Sequence, residues 1–170
     1  MANYVPSGIS KIDRSQFVTY LNTSKPYSAF PDGTPVWSVL GVGVTEYGIS
    51  YNPQVDTEKW IIEDSARNDH TSNQKQASVT QKCYKGDDVF EFINAGRDAL
   101  NYKSQVLDID RWNGTGSTYP AKLNNVIITV ENYMGENAEI EYTIYYDGDP
   151  IEGIVTFTGN TPTFETPTSL

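Results

Sequence analysis

Cysteine is almost missing: Cys83 stands alone among 170 residues. A single cysteine forms no disulfide within the chain and no C-x-x-C zinc site. Histidine is equally scarce. His70 is the only one, and it sits in the polar stretch 63–77, where nothing around it suggests the burial a His-dependent triad needs. Positive charge is in deficit. Twelve lysines and arginines against 22 aspartates and glutamates give a formal charge of −10, which repels phosphates and argues against a DNA-binding surface. Long hydrophobic runs are lacking too. No stretch approaches the ~20 apolar residues that span a bilayer, and the opening MANYVPSGISKIDRSQF has neither the basic start nor the apolar run of a signal peptide. G-x-S-x-G and Gly-rich phosphate loops are also missing. These gaps suggest a non-enzyme that needs no cofactor and is kept in a reducing, cytosol-like compartment. In that setting the sequons Asn22-Thr23-Ser24 and Asn113-Gly114-Thr115 are chance matches.

What the chain does contain is strand material. Aromatics make up 12% and charged residues 20%, a globular composition long enough for one domain with its own core. Residues 1–33 are polar, carry Pro6, Pro26, Pro31 and Gly33, and read as an N-terminal arm. VWSVLGVGVTEYGISY (36–51) reads as a strand bent at its glycines. Asn52-Pro53 signals a turn, and QVDTEKWIIED (54–64) returns as its hairpin partner. Residues 63–77 read as a long polar loop. SVTQKCY (78–84), SQVLDID (104–110), NNVIITVENY (124–133) and IEGIVTF (151–157) are further strands, and residues 158–170 form a Pro/Thr-rich C-terminal arm. In AEIEYTIYYDGD (138–149), Ala138, Ile140, Tyr142, Ile144 and Tyr146 alternate with Glu139, Glu141, Thr143 and Tyr145, so one face is buried and one wet. Asp147-Gly148 is a two-residue hairpin signal. A single helix is expected near 88–96: Asp88 can cap it, Glu91 completes a capping-box pattern, and Gly96 stops it. The sum is a mainly β single domain, a β-sandwich or open barrel of about seven strands spanning 34–157, with one short flanking helix.

Chemistry is harder to find. Glu139 and Glu141 lie about 6–7 Å apart along one strand, a spacing that glycosidase carboxylates share, yet they follow an exposed-face pattern rather than a cleft. Asp108-Ile109-Asp110 and Asp147-Gly148-Asp149 are weak calcium candidates without an EF-hand pattern. Trp37, Trp60 and Trp112 could build a sugar platform, though strand aromatics are mostly packing residues.

Taken in order, the features resemble a known family. A polar arm leads into W-x-x-L-G-x-G-V (Trp37, Leu40, Gly41, Gly43, Val44). A polar loop follows, then the G-D-D-V-F-E-F-I helix opening (Gly86 to Ile93). A Glu-rich hairpin, Y-D-G-D-P, G-x-V-T-F and the P-T-F tail (Pro162 to Phe164) close the chain. This is similar to the major tail tube proteins of siphophages, the long, flexible-tailed bacteriophages, over essentially the whole chain. The resemblance implies a structural virion protein made in the host bacterial cytoplasm. Hexameric rings of it stack into a hollow tube around the tape measure protein, between the tail terminator and distal tail proteins, and phage DNA passes through without specific binding. On this reading Glu131, Glu139 and Glu141, with Glu46 and Glu58 on the first hairpin, line the lumen. Asp64, Arg67, Asp69 and His70 in the polar loop and Phe164 in the C-terminal arm are the inter-ring contact candidates. Another ring-forming tail component, or a carbohydrate-binding β-sandwich, is the alternative.

Overall fold

The computed structural model describes residues 8–24 and 29–167. Among them lie ten strands and one α-helix: β1 (Phe17–Asn22), β2 (Trp37–Val39), β3 (Val44–Ser50), β4 (Pro53–Glu58), β5 (Arg67–Asn73), β6 (Gln76–Lys82), α1 (Asp88–Ala95), β7 (Tyr102–Asp110), β8 (Thr118–Tyr133), β9 (Glu139–Thr158) and β10 (Thr161–Glu165). Seven strands follow one another in the order β2-β1-β7-β8-β9-β6-β3, with β10 added along the end of β9. The expected mainly β fold with one helix is what forms, as a curled half-barrel sheet. The curl brings distant strands together: the Thr19 hydroxyl on β1 lies 3.3 Å from the Tyr47 hydroxyl on β3.

The two longest strands, β8 and β9, carry the sheet from end to end, and two irregularities shape them. Between Asn125↔Asp147 and Leu123↔Ile151, β9 uses four residue steps where β8 uses two. The Asp147-Gly148 step is therefore a bulge in one continuous strand, not the hairpin turn expected there. Gly148 takes φ +75° and Pro150 lacks an N–H, so both suit a place where the ladder is interrupted. The second irregularity inserts Glu131 between Val130↔Tyr142 and Asn132↔Glu141.

Other expectations change as well. The N-terminal arm is not all arm: FVTYLN enters the sheet as β1 and buries Leu21 completely. The expected hairpin of 36–51 with 54–64 does not form. β3 pairs with β6 and β4 pairs with β5, so 44–82 is one long excursion whose outer half leaves the sheet. The polar loop 63–77 is largely strand, since β5 occupies 67–73. RNDHTSN has no apolar residue to alternate, so only backbone pairing with β4 makes it a strand, and hydropathy carries no trace of it. The C-terminal arm folds back as β10, burying Pro162. Residues 1–7, 25–28 and 168–170 of the two expected arms lie outside the described residues.

Two cores result, one on each face of the sheet. The concave face holds Leu21, Ala77, Val79, Val106, Val126, Ile128, Ile140, Tyr142 and Ile144, closed by Val89, Phe92 and Ile93 of α1. On the opposite face, Tyr20, Leu107, Ile109, Ala121 and Val155 pack with Trp37, Phe157 and Phe164. β7 serves both, with Val106 in one core and Leu107 in the other. The helix is capped by Asp87 rather than Asp88: the Asp87 carboxylate accepts from Phe90 N at 3.0 Å, and Glu91 reaches back to Gly86 N at 2.9 Å.

Candidate functional site

Strand register decides where the candidate carboxylates go. Ile140, Tyr142 and Ile144 of β9 point into the concave core, so Glu139 and Glu141 occupy the other face. Glu141 is opposite Thr80 on β6, and Thr80 is opposite Glu46 on β3. Across β8, the inserted Glu131 accepts from Thr143 Oγ1 at 2.5 Å, and Asn132 Nδ2 donates to Glu141 Oε2 at 2.5 Å. Glu46, Glu131, Glu139 and Glu141 therefore share one half-exposed to exposed sheet surface. One cation, Lys82, stands among them, directly opposite Glu139 in register. Glu58 is not part of this face. It ends β4, away from the sheet, opposite Arg67.

That second location is the β4–β5 hairpin, which carries Asp64, Arg67, Asp69 and His70. Every residue of both strands is exposed. Two-stranded hairpins without a buried face are marginal in water, and this one has further liabilities. Asp56 and Asp69 are directly opposed, a like-charge pairing that destabilises a ladder. At the tip, Ile61 is 103% exposed and Ile62 84%. Local contacts give the tip some order: Arg67 pairs with Glu63 and stacks 4.1 Å from the Trp60 ring centre. His70 Nε2 lies 2.9 Å from Asn73 Oδ1 and 3.1 Å from Ser72 O. At the root, Asn52 takes φ +41°, a left-handed conformation that asparagine tolerates better than most residues. Its side chain donates to Gln74 O at 3.2 Å, clasping the hairpin where it leaves the sheet. Phe164 is not with this group. Its ring packs in the second core, within reach of a side chain at Gly153, where an added Cβ would meet it at 2.6 Å.

Sequence reasoning missed the polar cluster inside the curl. Asp108 Oδ1 accepts from Thr19 Oγ1 at 3.0 Å; its Oδ2 accepts from Asn124 Nδ2 at 3.1 Å and Tyr146 OH at 3.2 Å, with Lys75 Nζ at 3.9 Å. Burial raises the Asp108 pKa against the opposing pull of Lys75, and burial lowers that of Lys75. Tyr47, buried beside the Asp108 charge, is pushed up to about 12. The D-I-D spacing places Asp108 and Asp110 on one strand face, but only the curl puts a lysine from the β5–β6 connection beside one of them. Among the described residues no group of three His, Cys, Asp or Glu side chains converges to hold a metal ion.

No protein-family model matches this chain, and no curated protein matches it either.

Proposed function

We propose that the chain is a tail tube subunit: a structural protein, without catalytic activity, that closes into hexameric rings and stacks into a hollow virion tube conducting phage DNA. The convergence of Glu46, Glu131, Glu139 and Glu141 on one sheet face is the observation that supports this reading best. A wall bearing four carboxylates against one lysine, which faces Glu139, is net negative and gives phosphates little to pair with. Screening over ~8–10 Å at physiological salt confines the repulsion to the water film between wall and duplex, so the polymer slides instead of sticking. The hairpin supports the same reading, because a fully exposed two-stranded arm with Trp60, Ile61 and Ile62 at its tip gains most from docking onto another subunit. Its candidate contact residues are Asp64, Arg67, Asp69 and His70. The tape measure protein, the terminator and the distal tail protein are the partners this role requires.

Negative-stain microscopy of the concentrated protein tests the assembly, with hollow tubes or stacked rings expected. Monomers at every concentration, with or without the other tail proteins, would rule it out. The lumen assignment is tested by Glu139→Lys with Glu141→Lys in assembled tails: DNA ejection should slow and become strongly salt-dependent. Unchanged ejection kinetics would place that face elsewhere.

A further inference from the structure

Lys75, Asp108 and Asn124 meet where the root of the hairpin passes the bulge in β9, and the tube reading makes no use of that meeting. Lys75 lies between β5 and β6, Asp108 is on β7, and Asn124 is the β8 residue opposite the bulge. One oxygen is common to all three: Asp108 Oδ2 accepts from Asn124 Nδ2 at 3.1 Å and stands 3.9 Å from Lys75 Nζ. Tyr146 closes the group, with its hydroxyl 3.2 Å from the same oxygen and its ring centre 3.9 Å from Nζ. Lys75, Asn124 and Tyr146 line a single cavity of about 610 Å³. Asn124 is 4% exposed.

Forming an amide from an amine and a carboxamide needs a lysine able to give up its proton, an amide nitrogen able to leave, and a carboxyl group touching both. Those parts are assembled here. Burial eases the loss of the Lys75 proton and favours a protonated Asp108. We propose that Lys75 and Asn124 become joined by an intramolecular isopeptide bond, with Asp108 as the catalytic residue. Asp108 Oδ2 takes a proton from the Lys75 ammonium, and the neutral Nζ attacks Cγ of Asn124. The tetrahedral centre collapses as the Cγ–Nδ2 bond breaks. Asp108 hands its proton to Nδ2, which departs as ammonia, and takes up the second proton shed by Nζ. One C–N bond forms and one breaks; ammonia is the sole product released, and no oxidant or cofactor takes part. The bond ties the hairpin root to β8. In a chain that cannot form an internal disulfide, it supplies a covalent restraint on unfolding.

Intact-mass spectrometry of the folded, incubated full-length chain tests the proposal. The expected mass is one ammonia below that of the sequence, and a proteolytic digest should contain a branched peptide joining Lys75 to Asn124. Asn113-Gly114 can also lose ammonia by closing to a succinimide, so the branched peptide decides. Lys75→Arg keeps a cation without a nucleophilic amine. It should fold with an unchanged circular dichroism spectrum and keep its full mass, as should Asn124→Ala. A wild-type chain that retains its full mass, or yields Lys75 and Asn124 in separate linear peptides, overturns the proposal. So does a Lys75→Arg chain that still loses ammonia at Asn124.

Discussion

Gln81 is fully buried, and every polar atom of its side chain is used. Nε2 donates to Val42 O at 3.0 Å and to Asp87 Oδ2 at 2.7 Å, and Oε1 accepts from Tyr142 OH at 2.9 Å. It ties β6 to β9, the β2–β3 connection and the helix cap at once. Gln81→Leu keeps the volume but leaves the buried Tyr142 hydroxyl without its partner and removes the bonds to Val42 O and Asp87, which costs about 2–4 kcal/mol; urea denaturation measures it. Gly96 illustrates a residue whose type is legible but whose reason is not. It ends the helix as expected, yet its φ is −101°, outside the left-handed region. The Tyr102 ring is what demands glycine, since an added Cβ would lie 2.2 Å from it. Gly96→Ala should destabilise by about 1–3 kcal/mol through overpacking, and a variant as stable as wild type would show that the ring moves aside freely. Asp108 supplies a pH dependence. Its folded pKa lies above the ordinary 3.8, so above pH 3.8 the folded chain holds a proton that the unfolded chain has released. Stability from this group is greatest below 3.8 and falls as pH climbs through the window above it. Asp108→Asn removes that decline. Parallel pH profiles for variant and wild type would mean the carboxyl ionises normally.

At the scale of elements, the hairpin and the sheet are separable. β4 and β5 bury nothing, and they attach through the clasp at Asn52 and Gln74. Replacing residues 53–73 by a short Gly/Ser turn should leave the thermal transition within a few degrees of wild type while abolishing the proposed stacking of rings, as read by sedimentation. Loss of folding instead would show that the sheet depends on the arm. Asp69→Lys, by relieving the opposition to Asp56, should make the hairpin amides exchange more slowly in the free subunit. The helix was readable near 88–96 because capping, periodicity and stop signals agree within one short stretch, although the cap proved to be Asp87 and not Asp88. β5 was not, because its pairing is supplied entirely by β4.

For the whole molecule, the curl is the governing feature. It turns one face of the sheet into a core sealed by α1 and leaves half of the other face to four carboxylates. A single glutamate there would do no more than keep the face wet. Four in adjacent rows on β3, β8 and β9 make a charged wall, whose effect multiplies when copies surround a common axis. On the proposed tube reading, reversing Glu139 and Glu141 should alter passage of a polyanion without altering the fold, because neither carboxylate lies in either core.

By itself the sequence determined the class of fold. Alternation along β9, the capped helix and the shortage of cysteine, histidine and positive charge are local properties, carried by each stretch independently of its neighbours. Tertiary structure alone decided three things: that β3 turns from β4 to pair with β6, that Asp147-Gly148 bulges instead of turning, and that Lys75, Asp108 and Asn124 share one oxygen. Each depends on which strand lies beside which. Hydrogen-bonded neighbours in a sheet are chosen by the packing of the whole curl, and no short window of residues records that choice.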